Sequence, residues 1–226
     1  MNAVTAISAH RAGETPDAYE AAAAAGADYV EVDVRRTGDG ELVAHHDDRV
    51  RGLRLAQASY RDLCAAAGRA VPRLCDVLTA IAGRAAIQLD LKETGSERAT
   101  VAMATDVLGA PGVVVTSRWP GSIATVKREF AGVRAALSLG RGWYQPAGVR
   151  DLFPLRRLRA CGADWVAINH RLARLGVLDR CARHGFPAMI WTVNAESLMR
   201  RFLADPRVAV LITDRPEQAA RLRPAT

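Results

Sequence analysis

Short apolar runs rich in β-branched residues recur along this chain, separated by longer Ala/Leu/Arg stretches of helical period. That alternation is the sequence mark of repeated strand-then-helix units, and hence of a parallel sheet. Nine strand candidates are read, at 4–9, 29–34, 42–46, 86–91, 113–117, 135–139, 165–169, 188–193 and 208–213. Runs with few polar interruptions, such as VVVTS and AVLIT, suit strands covered on both faces. Helical signals lie at 16–25, 59–67, 72–82, 97–108, 120–130, 149–161, 172–184 and 196–204. Several carry Pro in the first turn (Pro16, Pro72, Pro120) or Gly just past the end (Gly26, Gly68, Gly83, Gly162, Gly185). One junction breaks the rule. YVEVDV and LVAHH are joined only by RRTGDGE, which has room for no helix and carries an Asp-Gly turn signal, so these two runs form a hairpin. Removing that antiparallel return arm leaves eight strands, the number that closes a parallel (β/α)8 TIM barrel. A turn centred on Gly38 and Asp39 would set Glu31 opposite His46.

At 226 residues, half of them apolar, the chain is expected to bury one core as a single domain spanning 1–226. It contains no long uncharged apolar stretch, and MNAVTAISAH lacks the basic region and apolar core of a signal peptide. The expectations are therefore no membrane span and a cytoplasmic location. Cys64, Cys75, Cys161 and Cys181 form no C-x-x-C pair or zinc spacing, so buried free thiols are expected. The net charge of +7 comes from arginines scattered along the chain and not interleaved with aromatics. This argues for a solvated basic surface that attracts anionic substrates, and against a nucleic-acid partner. Only two of the basic residues are lysines, Lys92 and Lys127, which singles out the placement of Lys92.

Barrels of this kind build their sites where strands end, so polar residues at strand C-termini are the ones to inspect. His10 and Arg11 follow the first strand, Glu31 and Asp33 lie in the second, His46 is on its return arm, and Asp90 and Lys92 close the strand at 86–91. Glu31 and Asp33 are two apart, so both point into the barrel and need a compensating cation. A hard divalent ion such as Mg²⁺ or Ca²⁺ with oxygen ligands, Asp90 being the third, is one solution; an ion pair with Arg11, Arg35 or Lys92 has equal weight on spacing alone. His10 and His46 have the chemistry of an acid/base pair, whereas strand alternation turns His45 the other way. Arg11 and Lys92 suit a phosphate, as fork and point charge. Trp191, Ser117 and His170, at strand ends, are expected to line the substrate pocket. Asn194 and Asp214 also follow strands, and His184 precedes a helix-ending glycine.

AHRAG, GADYVEVDVRRTGDG, LVAHHDDRV, VPRLCDVL, LDLK, MIWTVN and LITDRP, in that order, resemble the landmarks of the glycerophosphodiester phosphodiesterase family over nearly the whole chain. The resemblance implies metal-dependent cleavage of a small-molecule glycerol-phosphate diester to glycerol phosphate and an alcohol. By position it implies Glu31, Asp33 and Asp90 as metal ligands for one divalent cation, His10 and His46 as acid and base, and Arg11 and Lys92 on the phosphate. The chain departs from the family pattern in four places: Ala12 where glycine is usual, GETPDAY in place of a Pro-Glu-Asn-Thr sequence around Glu14, Asp90 for the usual Glu, and Arg118 for the Phe that usually follows Ser117. The segment between His46 and Pro72 is also short. Two other readings keep the barrel: a lapsed enzyme that only binds phosphodiesters, and a metal-dependent lyase or isomerase. Head group, metal identity, nucleophile and oligomeric state are not written in the sequence.

Overall fold

The computed structural model describes residues 4–13, 15–140 and 146–224; Glu14 lies outside them. Eight parallel strands close into a barrel, β1 (Ala6–Ala9), β2 (Tyr29–Arg36), β6 (Ala86–Leu91), β7 (Val113–Ser117), β8 (Arg134–Leu139), β9 (Trp165–Asn169), β10 (Ala188–Trp191) and β11 (Val208–Thr213). Closure comes from β1, which pairs with both β11 and β2. β3 (Leu42–Ala44) is the antiparallel arm on β2, and a two-stranded hairpin not foreseen from sequence, β4 (Arg49–Val50) and β5 (Leu53–Arg54), follows it.

The outer layer is α1 (Pro16–Ala24), α2 (Tyr60–Ala67), α3 (Leu74–Ile81), α4 (Glu97–Leu108), α5 (Pro120–Glu129), α6 (Leu155–Cys161), α7 (His170–Leu172), α8 (Leu178–Ala182), α9 (Glu196–Leu203) and α10 (Pro216–Leu222). Caps explain several boundaries. Thr15 and Ser59 accept from the amides of Ala18 and Asp62, and Gly68 and Gly162 end α2 and α6 in the left-handed region that a side chain would strain. Among the described residues, no helix is long and apolar enough to cross a membrane.

The expected helix at 149–161 is split, with a 3₁₀ stretch Pro146–Leu152 before α6. Pro154 disfavours helical backbone at Phe153 and cannot donate within a helix, so α6 starts after it. The expected helix at 172–184 is broken by a π turn, Ala173–Val177, where Gly176 has φ 80°. α10 was not foreseen from sequence.

The hairpin register also differs from expectation. Thr37 and Glu41 close the turn around a three-residue loop in which Gly40 has φ 95°. The pairing is Val34 with Ala44 and Arg36 with Leu42, one residue away from that of a two-residue turn. β3 ends at Ala44, and the His45 amide donates to the Asp33 carbonyl. Glu31 therefore does not face His46 across the ladder.

Alternation sorts the strands into two cores. Ile7, Val30, Val32, Val34, Ile87, Leu89, Val113, Val115, Leu137, Ile168 and Ile190 point outward under the helices. Val114, Ala136, Ala167, Met189, Val210 and Ile212 fill the barrel interior with Tyr29, Trp165 and Trp191. At the C-terminal end the same inward row turns polar, with Ser8, Glu31, Asp33, Gln88 and Thr116 buried. Leu89, fully buried between barrel and helices, is a sensitive reporter of this packing: Leu89→Ala is expected to cost about 2–5 kcal/mol in urea unfolding.

Candidate functional site

The site begins with two adjacent strands in parallel register. Glu31 stands beside Gln88 and Asp33 beside Asp90, all on inward positions, and the Lys92 amide continues the ladder to the Val34 carbonyl. One carboxylate oxygen from each of Glu31, Asp33 and Asp90 lies within 4.8 Å of the others. Two cations are folded into this cluster. Lys92 Nζ is 2.5 Å from Asp33 Oδ1, at an angle outside hydrogen-bond geometry, and it donates to Asp90 Oδ2. Arg11 Nε is 3.1 Å from Asp33 Oδ2, while the Arg11 amide donates to Glu31 Oε2 at 2.9 Å. That amide is aimed by backbone strain, since Arg11 has φ 46°, a region costly for a residue with a side chain. Asp90 Oδ1 accepts from the Thr116 hydroxyl at 3.0 Å.

Three carboxyl groups against two cations leave one negative charge in excess. The protein responds at Glu31: burial, then the charges of Asp33 and Asp90, push its carboxyl well above the ordinary value, with Lys92 and the Arg11 amide offsetting part of this. For Asp33, burial acts upward but is overcome by the charge and close approach of Lys92, then by Arg11, and its carboxyl lies below the ordinary value. The donor set fits a hard divalent cation: three carboxyl groups within reach of one another that offer oxygen ligands only, their charge met here by Arg11, Lys92 and the raised Glu31 pKa. The ion-pair reading is also realised through Arg11 and Lys92, but Arg35 turns away to Glu93 and to the His46 carbonyl, so it ties down the segment carrying His46.

His10 follows β1, with its amide on the Thr213 carbonyl. Its Nδ1 is 2.6 Å from Asp214 Oδ1, and Asp214 is held by Asn194, whose Nδ2 donates to Oδ2 at 2.5 Å and whose Oδ1 accepts from the Asp214 amide at 3.0 Å. His46 is held similarly, Nδ1 lying 2.7 Å from Asp47 Oδ1. Burial lowers the His46 pKa, with Asp47 and Asp33 opposing. An ionised carboxylate only accepts, so each Nδ1 donates and the basic lone pair of each ring lies on Nε2.

A cavity of about 120 Å³ opens among His10, Arg11, Glu31, Asp90, Lys92 and Trp191, with Gln88, Thr116, Ser138 and Thr192 completing its wall. A second cleft is lined by Arg11, Asp33, His45, His46 and Asp47, so Arg11 borders both; His10 opens onto the first, and His45, expected to turn the other way, lines the second together with His46. The structure thus brings His10, His46, Arg11, Lys92, Glu31, Asp33, Asp90 and Trp191 to one rim. It does not bring Ser117 or His170 there. Ser117 is fully buried, donating to the Leu91 carbonyl and accepting from the Trp119 amide, and His170 opens α7 outside both clefts. Sequence reasoning missed Thr116 and the His10–Asp214–Asn194 chain. Thr116 was recoverable from alternation along VVVTS, whereas the histidine's partner depends on β1 meeting β11, contacts about two hundred residues apart.

A sequence profile described as the glycerophosphoryl diester phosphodiesterase family matches residues 6–218. The chain belongs to that family. A probable glycerophosphodiester phosphodiesterase 2 of Mycobacterium tuberculosis is 31% identical over 223 residues, covering 88% of this chain and 81% of that protein. Among solved structures, a glycerophosphodiester phosphodiesterase from Parabacteroides distasonis superposes with a TM-score of 0.81 at 20% identity, covering 98% of both chains. An Oleispira antarctica phosphodiesterase in complex with the product sn-glycerol-3-phosphate gives 0.75 at 19% identity, covering 97% of this chain and 96% of that one. These likenesses agree with the (β/α)8 barrel of this family member.

The charge excess has a measurable consequence. The folded state holds the Glu31 proton more tightly than the unfolded chain, so stability is lost as pH rises above about 4.3, the ordinary Glu value. Glu31→Gln removes that cost. At pH 8 with chelator, the variant is expected to melt a few degrees above the unsubstituted protein, since 1 kcal/mol corresponds to about 2–4 °C at this size. Saturating Mg²⁺ or Ca²⁺ reverses the order; calorimetry with and without the ion checks both.

Proposed function

We propose that the chain hydrolyses a glycerophosphodiester to glycerol phosphate and an alcohol, with one divalent cation, Mg²⁺ or Ca²⁺, held by Glu31, Asp33 and Asp90. The observation that carries this reading is the cluster of three inward carboxyl groups, Glu31, Asp33 and Asp90, on a rim that also carries two histidines, each anchored through Nδ1 to an aspartate. The family match, and the glycerol phosphate named in the Oleispira antarctica complex, support the substrate class.

When bound, the cation supplies electrophilic stabilisation of the phosphoryl oxygens. Arg11 and Lys92 sit where they offset the remaining negative charge of the phosphate, the first by its planar fork and the second as a point charge. One histidine takes a proton from the attacking oxygen, either water, which gives glycerol phosphate directly, or a neighbouring glycerol hydroxyl, which gives a cyclic phosphate that water then opens, and the other protonates the leaving alkoxide. The lowered pKa of His46 keeps it neutral near pH 7, a state able to accept a proton. Trp191 walls the cavity.

His10→Ala and His46→Ala are each expected to lower turnover of a glycerophosphodiester by about a hundredfold or more; a near-normal rate in either would refute its role. Asp214→Asn leaves the imidazole in place but removes the carboxylate that fixes its tautomer. A fall in kcat of roughly tenfold or more, with KM little changed, is expected from steady-state kinetics.

A further inference from the structure

Among the described residues, Val4, Val107, Trp119, Val149, Phe153 and Leu175 are the large apolar side chains left exposed. Four of the six cluster by topology. Trp119 follows β7, Val149 and Phe153 follow β8, and Leu175 follows β9, three neighbouring parallel strands whose C-terminal connections form one arc of the same rim as the site. Phe153 and Leu175 are 65% and 52% exposed. Leu175 is held out at a break in the helix, where it and Gly176 leave helical backbone.

The unpaired charge on this arc is positive. Arg118, Arg150, Arg171 and Arg174 are exposed there, and none makes an ion pair among the described residues. Of the acids nearby, Asp151 is engaged by the Gly140 amide and Arg157, and Asp179, next to Arg180 on α8, is paired with Arg183. Two guanidinium groups lie on the aromatic faces, that of Arg118 on Trp119 at 4.3 Å and that of Arg180 on Phe153 at 4.6 Å.

Isolated apolar tips on separate loops, ringed by unpaired arginines, suit shallow insertion into a surface that is apolar below and anionic above. We infer that this arc docks on a membrane surface carrying anionic lipid, which turns the mouth of the barrel toward the bilayer. The inference does not depend on the catalytic reading, because its test is binding alone.

The test is sedimentation of the full chain with vesicles of phosphatidylcholine, alone or with about a third phosphatidylserine. The chain is expected to pellet with the anionic vesicles, more weakly with the neutral ones, and less as salt rises. Phe153→Ser combined with Leu175→Ser is expected to weaken partitioning about tenfold or more, and Arg171→Gln with Arg174→Gln by roughly fivefold per arginine. Val107→Ser, exposed on α4 away from the arc, changes nothing, and melting curves confirm that each variant is folded. Wild-type protein that stays in the supernatant with anionic vesicles, or arc variants that pellet like wild type, would overturn the proposal. A wild-type dimer in light scattering that Phe153→Ser with Leu175→Ser dissolves would overturn it too, and assign the arc to a second copy of the chain.

Discussion

Three carboxyl groups forced into one barrel mouth with, among the described residues, two cations to meet them are the constraint on which the rest of the site turns. Burial makes an isolated carboxylate expensive, so the cluster must take up a proton, recruit the cations of the chain, or bind an external ion. The protein does the first two at once. Glu31 has its pKa pushed up, while Lys92 and Arg11 fold inward onto Asp33 and Asp90. In the function proposed, a divalent cation held there would take over the neutralisation and leave Arg11 and Lys92 to meet an anionic ligand.

The barrel makes this arrangement cheap to build. Period-two alternation places Glu31, Asp33 and Asp90 in the interior while Val30, Val32, Val34 and Leu89 pack beneath the helices. The lower interior is filled by small and medium apolar residues such as Ala136, Ala167 and Val210, so the polar layer rests on a solid floor. Thr116 and Arg35, neither of them a ligand candidate, hold Asp90 and the His46 backbone where the site needs them. The two lysines divide the same way. Lys92 serves the site, and Lys127 bridges the Val133 carbonyl and Asp164 below the helices, leaving the outer surface to arginine.

Much of this was legible before any coordinates, because strand period and strand-end position are local properties. Eight parallel strands, the hairpin arm and the inward placement of Glu31, Asp33 and Asp90 all follow from them. What was not legible depended on geometry that a linear pattern does not carry. The hairpin turn uses three loop residues where Asp-Gly suggested two, which shifts the register by one, and the return arm ends at Ala44, which leaves His46 in the bend beyond it. Pro154 and Gly176 broke helices that hydrophobic period alone would have run through. Ser117 stood at a strand end as expected, but on the outward parity, where its hydroxyl serves a turn. The partner of His10 emerges only when the first strand meets the last.

The most direct test of the central claim is anomalous diffraction from crystals grown with Mn²⁺. The account predicts a single peak about 2.0–2.6 Å from oxygens of Glu31, Asp33 and Asp90, with Lys92 withdrawn from the two aspartates. A map with no peak there, and Lys92 still clamped between Asp33 and Asp90, would contradict it.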